Sequence, residues 1–160
     1  MIRAASVTDA EQVAAIYNFY VENTVVTFEE VPVTAAQMAE RITRLAAEYP
    51  WLVYERGGIV AGYAYAGRWH ERSAYRWSVE TSVYLDRKQL RQGLGTRLYE
   101  ALLGILRERQ YHSACGGIAL PNGASVALHE KFGFRKAAHY HSIGYKFDRW
   151  IDVGFWQLIL

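Results

Sequence analysis

One segment in the middle of this chain combines an alternating strand, a glycine-containing turn and a long amphipathic helix. From Tyr75 to Leu85 apolar and polar residues alternate, so every second side chain faces the same side of a strand. Leucine and alanine then recur at helical spacing from Leu94 to Arg109. A half-buried strand that runs directly into an amphipathic helix requires a fold in which helices pack on a sheet.

The turn between this strand and this helix carries two glycines, Gly93 and Gly95. Glycine lets a ligand approach the backbone closely, and the free amides and dipole at a helix start attract anions such as a pyrophosphate. The pattern is not a dinucleotide-binding fingerprint, because Leu98 stands where the third glycine would be, and it is not a P-loop. By itself the turn is equally consistent with an ordinary strand-to-helix connection.

The remaining elements predict a single α+β domain over residues 1–160. Two capping boxes, Thr8–Glu11 and Thr34–Gln37, predict the start of two helices. After Pro50 strand-forming residues dominate, with a hairpin turn at Arg56–Gly58. The other predicted elements are strands at Ile2–Ala5, His112–Leu120, Phe134–Phe147 and Val153–Ile159 and a short helix at Ala124–Phe132.

Composition and charge exclude several classes of function. The net charge is only +2, and the lysines and arginines are dispersed along the chain rather than clustered. A nucleic-acid partner is therefore not expected. No apolar run is long enough to span a membrane and no signal peptide is visible, so we expect no membrane association and a cytoplasmic location.

Cysteine and histidine usage predicts neither a disulfide nor a metal site. Cys115 is the only cysteine, which excludes an intramolecular disulfide and argues against a multi-thiolate zinc site. His139 and His141 would share one face of a strand, but the sequence offers no obvious third ligand beside them.

Four blocks of sequence, in the same order along nearly the whole chain, resemble the phosphinothricin and methionine sulfoximine acetyltransferase group of the GNAT superfamily. The blocks are residues 23–30 (NTVVTFEE), 72–84 (RSAYRWSVETSVY), 120–130 (LPNGASVALHE) and 144–157 (GYKFDRWIDVGFWQ). The turn at Gly93 and Gly95 is similar to the superfamily's Gln/Arg-x-x-Gly-x-Gly/Ala loop. The resemblance implies a GNAT fold, with a central mixed, mostly antiparallel sheet flanked by about four helices, and acetyl-CoA-dependent N-acetyl transfer. It also suggests a homodimer.

The same resemblance assigns residues to acetyl-CoA, which enters a GNAT fold where the fourth and fifth strands splay apart. It implies backbone contacts to the pantetheine from Val83, Tyr84 and Leu85, diphosphate contacts from the loop, and further contacts from two residues beyond the fifth strand. The loop residues are Leu90, Arg91, Gln92, Gly93, Leu94, Gly95 and Thr96, and the later two are Asn122 and Ser125. Leu90 departs from the superfamily's Gln or Arg, so Arg91 and the backbone amides would have to supply the anion contacts. From the residues alone, Asn122 is better explained as a turn residue before a helix.

Glu80 is the predicted catalytic base. An α-amine is mostly protonated at neutral pH and must lose a proton before it attacks a thioester. A carboxylate in the middle of a strand is costly to bury without a purpose or a partner, and the resembled group has a glutamate at this position. A salt bridge from Glu80 to Arg76 is an equal alternative from the sequence alone. His129, near the end of the third block, is a second candidate for proton transfer. The alternative is that it is a structural histidine.

The resemblance also implies two segments that face the acceptor. They comprise Phe28 and Glu29 in the first block, and Arg72, Ser73, Ala74, Tyr75 and Arg76 in the second. Arginine suits an amino-acid carboxylate, whereas Phe28 and Tyr75 would form an apolar wall. We expect a small amino-acid acceptor such as methionine sulfoximine, methionine sulfone or phosphinothricin. The alternatives are a protein N-terminus, a lysine or a polyamine as acceptor, or a non-catalytic acetyl-CoA-binding module.

Overall fold

A seven-stranded sheet organises the chain in a computed structural model that describes residues 1–90 and 92–160. Within these residues the strands are β1 (Ile2–Ala4), β2 (Trp51–Arg56), β3 (Ile59–Arg68), β4 (Ser78–Leu85), β5 (Ser113–Ala119), β6 (Arg135–Lys146) and β7 (Arg149–Ile159). The α-helices are α1 (Ala10–Asn23), α2 (Ala35–Ala46), α3 (Leu94–Glu108) and α4 (Gly123–Lys131). The strand order is β1-β2-β3-β4-β5-β7-β6, and β4–β5 is the parallel pair among antiparallel neighbours. The predicted α+β class and mostly antiparallel sheet are confirmed.

Helices cover both faces of the sheet over its first four strands. In β2, Leu52 and Tyr54 pack into one buried cluster with the leucines of α3, whereas Trp51 and Val53 pack into a second cluster with α1 and α2. A strand that is buried on both faces has apolar residues at consecutive positions rather than alternate ones. This explains why residues 51–54 form an unbroken apolar run.

Two predicted boundaries are wrong. The strand predicted from Tyr75 begins at Ser78, because residues 73–75 form a short 3-10 turn in which the amide of Arg76 donates to the carbonyl of Ser73. The first helix is not capped by Thr8: Asp9 is held by Arg3 through two contacts of 2.8 Å, and its carboxylate accepts the amide of Ser6. The capping box of Thr34 and Gln37 is confirmed at the start of α2.

The last two strands form a hairpin that is longer than the sequence predicts. The chain reverses at Phe147 and Asp148, which both have positive φ, 52° and 56°. A two-residue turn with both residues in this region matches the right-handed twist of a hairpin, but Asn-Gly or Asp-Gly is its usual sequence signal. β7 therefore begins at Arg149 rather than Val153. No helix in the described part of the chain is long and apolar enough to cross a membrane.

Candidate active site

The parallel pairing of β4 and β5 is short and leaves an opening in the sheet. It joins Ser78–Glu80 to Ser113–Cys115 and then stops. Residues 81–85 of β4 continue against β3, and residues 116–119 of β5 continue against β7. The edges of β4 and β5 that would otherwise face each other are therefore free for a ligand beyond Glu80, at the position where the resemblance places the pantetheine.

Two glycines of β5, Gly116 and Gly117, lie where the strands separate and leave room on opposite faces of the sheet. A side chain at Gly117 would begin 3.3 Å from Oε1 of Glu80 and 3.0 Å from the ring of Phe155. A side chain at Gly116 would collide with the imidazole of His129. Glu80 and His129 therefore lie on different sides of the same strand.

Glu80 lines a cleft of about 290 Å³ beside the opening. The other cleft residues are Val26, Thr27, Phe28, Ser82, Tyr84, Gly117, Ala119, Val153 and Phe155. Burial raises the pKa of Glu80 above its ordinary value, and the nearby His70 offsets part of this shift. A raised pKa brings the carboxyl group closer to the working range of a general base at neutral pH.

The alternative in which Glu80 pairs with Arg76 is wrong. Arg76 instead donates to the carbonyl of Ser73 at 3.1 Å and stacks over the ring of Trp77. Within residues 1–90 and 92–160, no basic side chain forms a salt bridge with Glu80. The half-buried carboxylate thus carries a desolvation cost that His70 offsets only in part and that no salt bridge within these residues relieves.

Thr27 and Phe28 form the wall of the cleft opposite Glu80, and side chains from distant elements hold them. The hydroxyls of Tyr17 and Thr27 are 2.7 Å apart, and the buried ammonium of Lys146 donates to the carbonyl of Thr27 at 2.9 Å. The ring of Phe28 packs directly on the backbone of Gly144. Phe28 therefore lines the same cleft as Glu80.

Glu29 does not line the cleft, in contrast to its predicted role. Arg41 of α2 binds both of its carboxylate oxygens, at 2.6 and 3.0 Å. This guanidinium is the main reason that the pKa of Glu29 lies below its ordinary value. Glu29 therefore fixes the loop to α2, and the free negative charge in the cleft belongs to Glu80.

The second predicted acceptor segment also lies apart from Glu80. Arg72, Ser73, Ala74 and Arg76 are exposed, and they line neither the cleft of Glu80 nor its neighbour. Tyr75 lines that neighbour, a cleft of about 260 Å³ that also contains Trp69, Cys115 and Tyr140. Phe155 lines both clefts and stands between them.

His129 is a core residue, which corrects its predicted position in the site. It is 3% exposed and packs edge-on against Tyr99 and Phe134. Its Nδ1 donates to the carbonyl of Ser125 at 2.7 Å, so Nε2 accepts from the hydroxyl of Tyr99 at 2.8 Å. Burial lowers the pKa of His129, which keeps the ring neutral. Both ring nitrogens are occupied, and the ring is directed away from the cleft.

The hydroxyl of Tyr99 connects His129 to the opening between the strands. It lies 2.9 Å from Oγ1 of Thr81, which in turn lies 3.3 Å from the carbonyl of Cys115. Cys115 is the last residue of β5 that pairs with β4, and Thr81 directly follows its partner Glu80. We therefore assign His129 a role in positioning these strand ends rather than in proton transfer to the acceptor.

The glycine turn before α3 has the geometry of an anion site. Gly93 adopts the left-handed conformation, with φ 73°, and accepts the first helical hydrogen bond from the amide of Arg97. The amides of Leu94, Gly95 and Thr96 precede that bond and belong to the first helical turn, where amides lack helical acceptors. Leu90 is 48% exposed, and Gln92 contacts Arg56 at 3.4 Å. Arg91 lies outside the described residues.

Asn122 and Ser125 lie at the start of α4. The side-chain oxygen of Asn122 accepts the amide of Ser125 at 3.1 Å, so Asn122 caps this helix. The capping alternative considered from the sequence is correct for the oxygen, whereas the side-chain nitrogen remains available to a ligand. Ser125 contacts His129 through its carbonyl, and its hydroxyl lies 3.5 Å from the same ring.

Comparison with known proteins identifies the family. Residues 2–154 match the acetyltransferase (GNAT) domain. The chain belongs to the GNAT acetyltransferase family. It is 43% identical over 156 residues to a phosphinothricin N-acetyltransferase of Streptomyces viridochromogenes, covering 98% of this chain and 85% of the relative. It is 39% identical to an L-methionine sulfoximine/L-methionine sulfone acetyltransferase of Pseudomonas aeruginosa, covering 99% and 94%.

Solved structures agree with this assignment. A phosphinothricin acetyltransferase from Sinorhizobium meliloti in complex with acetyl-CoA superimposes with a TM-score of 0.96 at 34% identity, covering 100% of this chain and 88% of that one. A ribosomal-protein-alanine N-acetyltransferase from Brucella melitensis gives a TM-score of 0.97 at 37% identity, covering 100% and 99%. The predicted GNAT fold is confirmed, and the chain is an N-acetyltransferase of a family whose acetyl donor is acetyl-CoA.

Several site residues were not found from the sequence. The cleft is lined by Thr27, Ser82 and Phe155, and the nearby His70 lowers the pKa of Glu80. The pair Gly116-Gly117 was an available signal, because glycine inside a strand marks a bulge or the close approach of a ligand or another group. Thr27 and Phe155 had no comparable signal, since only the tertiary fold brings them together.

The anion site can be tested at Gly95. Gly95→Asp places a negative side chain at the first turn of α3, so the affinity for acetyl-CoA should fall by about tenfold or more, because the new carboxylate would repel the diphosphate and compete with it for the same amides. Gly104→Asp is the matched control, because it adds the same charge to the same helix at a position open to solvent. Calorimetric titration of both folded variants measures the difference. Equal affinities for acetyl-CoA in the two variants would contradict the assignment of the diphosphate site to this turn.

Proposed function

We propose that this chain transfers the acetyl group of acetyl-CoA to the α-amine of a small amino acid with an oxygen-rich, tetrahedral side chain. The candidates are methionine sulfoximine, methionine sulfone and phosphinothricin. The observation that carries the proposal is the position of Glu80, a half-buried carboxylate without a salt-bridge partner in the described residues, beside the opening between β4 and β5. The names of the relatives support this acceptor class.

The residues around the opening fit acetyl-CoA. The separated edge of β4 at Val83, Tyr84 and Leu85 offers backbone groups to the pantetheine amides, and the first amides of α3 suit a diphosphate. Leu90 adds no polar group, so the proposed diphosphate contacts are the backbone of residues 92–96 together with Arg91. The amide nitrogen of Asn122 and the start of α4 are available on the β5 side. Bound acetyl-CoA supplies an electrophilic thioester carbonyl at the opening.

Glu80 prepares the acceptor for attack on that carbonyl. Its carboxylate, directly or through a water molecule, accepts a proton from the acceptor's ammonium group, and the free amine then has the lone pair needed to attack the carbonyl. The amide bond forms as the carbon–sulfur bond breaks, and coenzyme A leaves as a thiolate that takes up the proton released from the new amide nitrogen. Burial raises the pKa of Glu80, which makes the carboxylate a stronger base than an exposed glutamate. Gly117 keeps space open beside Oε1, so that an amine can approach the carboxylate from the cleft.

The cleft also suits the acceptor's side chain. Phe28 and Phe155 supply apolar surface for a methylene chain, and the hydroxyl groups of Thr27 and Ser82 are polar groups on the same lining. We propose that Arg72 and Arg76, on the exposed segment near the second cleft, bind the acceptor's carboxylate once ligands are present. This role requires both arginines to leave the solvent-facing positions they hold here.

We further propose that the enzyme is a homodimer that acts in the cytoplasm. Exposed aromatic side chains are concentrated on the β6–β7 hairpin, namely Tyr140, Tyr145, Phe147 and Trp150. A group of exposed rings on one hairpin is typical of an interface between copies of a chain. The cytoplasm is the expected location because acetyl-CoA is a metabolite of the cell interior.

Glu80→Gln tests the catalytic proposal. The substitution keeps shape and removes the base, so kcat should fall by about a hundredfold to ten-thousandfold, while acetyl-CoA affinity stays unchanged because the cofactor meets β4 further along. The wild-type rate should fall as the pH drops through the raised pKa of Glu80, since a protonated carboxyl cannot accept a proton, and this acidic limb should flatten in the variant.

Thermal stability separates this role from a structural one. The folded state raises the pKa of Glu80, so at a pH above that pKa the ionised carboxylate opposes folding, and Glu80→Gln should melt at the same or a higher temperature. Glu108→Gln, at the exposed end of α3, is the control and should leave kcat unchanged. A normal kcat of Glu80→Gln at saturating acceptor would contradict the assignment of Glu80 as the catalytic base.

The acceptor class can be tested by following thiol release from acetyl-CoA with a panel of amines. Methionine sulfoximine, methionine sulfone and phosphinothricin should give a kcat/KM at least about a hundredfold above that of spermidine, since a site built for a polar group rejects analogues that lack it. An alanine-terminated peptide belongs in the same panel, because one solved neighbour carries the name of a ribosomal-protein-alanine acetyltransferase. Preference for that peptide would replace the amino acid by a protein N-terminus as the substrate.

A further inference from the structure

Strand β6 bulges opposite a single aspartate of β7. Tyr140 pairs with Val153 and Gly144 pairs with Ile151, so residues 141–143 of β6 face Asp152 alone. Ser142, inside this bulge, has a positive φ of 48°, and its amide donates to Oδ1 of Asp152 at 2.8 Å. The bulge thereby fixes one carboxylate oxygen and leaves the other, Oδ2, to other partners.

Two imidazoles converge on that second oxygen. Nε2 of His139 lies 2.8 Å and Nδ1 of His141 lies 3.2 Å from Oδ2 of Asp152. The two rings stack with centroids 4.3 Å apart, and the three potential ligand atoms all lie within 4.8 Å of one another. The bulge is the reason that two histidines two residues apart reach the same carboxylate.

We propose that His139, His141 and Asp152 form a binding site for a divalent transition-metal ion of the zinc type. Tetrahedral zinc with bonds of about 2.0–2.1 Å separates neighbouring ligand atoms by about 3.3 Å, close to the two contacts to Oδ2. Two imidazoles and one carboxylate suit zinc better than calcium or magnesium, which prefer oxygen ligands. Three protein ligands leave the fourth position to water.

The hydrogen bond from the amide of Ser142 prepares the carboxylate of Asp152 to bind a metal ion. The amide of Ser142 orients the carboxylate from behind, as outer partners of metal ligands commonly do. Cys115, a competing soft ligand, is buried, and burial raises the pKa of its thiol.

The positive charge of Lys136 beside His139 should weaken metal binding, and this effect can be tested by mutation. Its ammonium lies 2.8 Å from Nδ1 of His139, and because an ammonium can only donate, the proton of the ring lies on Nε2. A metal on Nε2 needs that proton to move to Nδ1, so the lysine must move away when the metal binds. Removal of the lysine charge should therefore strengthen binding.

The site belongs to the hairpin rather than to the reaction. Asp152 and Val153 are consecutive in β7 and so face opposite sides of the sheet, and Val153 lines the cleft of Glu80. The same strand β6 continues from the bulge to Gly144 and Lys146, which support Phe28 and Thr27. A metal at the bulge would stabilise the part of β6 from which the acceptor wall is held.

Calorimetric titration of the tag-free chain with zinc chloride tests the site. The wild type should bind one equivalent, and His141→Gln should weaken the affinity by about tenfold or more, a loss typical of a damaged metal site. The side chain of His141 is 79% exposed, so this variant should fold normally. His112→Gln, an exposed histidine outside the cluster, is the matched control and should bind like the wild type.

Lys136→Gln provides a second, independent measurement and should bind zinc more tightly than the wild type. Absence of saturable binding, or equal affinities in the wild type and His141→Gln, would overturn the proposal. An unchanged affinity in Lys136→Gln would remove His139 from the ligand set and would thereby also overturn the three-ligand site.

Discussion

The structure depends on the point at which β4 and β5 stop pairing. The ladder ends at Glu80 and Cys115, and the carbonyl of Cys115 is met by the hydroxyl of Thr81 instead of continuing the strand pairing. Because Tyr99 donates its only proton to the neutral ring of His129, the single proton of Thr81 is shared between the Tyr99 oxygen, at 2.9 Å, and the Cys115 carbonyl, at 3.3 Å. Because buried backbone groups must be satisfied, this chain of hydroxyls lets the sheet open without leaving the Cys115 carbonyl unpaired.

A half-buried carboxylate at the edge of this opening has to be tolerated by the surrounding structure. Glu80 has no salt bridge in the described residues, whereas the nearby Glu29 is bound by Arg41 on both oxygens. The two glutamates therefore have different roles. Glu29 fixes a loop to α2, whereas Glu80 keeps a raised pKa. Lys146 and Tyr17 hold Thr27 opposite Glu80, so the cleft has a defined width although one wall is a loop. Local strain or desolvation of this kind is concentrated at functional sites in many enzymes.

Much of the fold could be predicted from the sequence, whereas the positions of individual site residues could be predicted only in part. Hydrophobic period and capping located α3 and α2, and the alternation in β4 placed Glu80 on the correct face. Glu29 and His129 belong to the resembled blocks, but their partners Arg41 and Tyr99 lie 12 and 30 residues away along the chain. No local pattern predicts such contacts. The bulge beside Asp152 was missed for the same reason, since register shifts depend on both strands of a hairpin.

Glu80 is a half-buried base with a raised pKa at the strand opening. A carbon-13 NMR titration of the glutamate side-chain carboxyls measures this directly, with the Glu80→Gln spectrum identifying the resonance. Glu80 should titrate above the value of about 4.3 found for an exposed glutamate. A Glu80 resonance that titrates at or below that value would contradict the account, because an ordinary surface carboxylate would then occupy the position of the base.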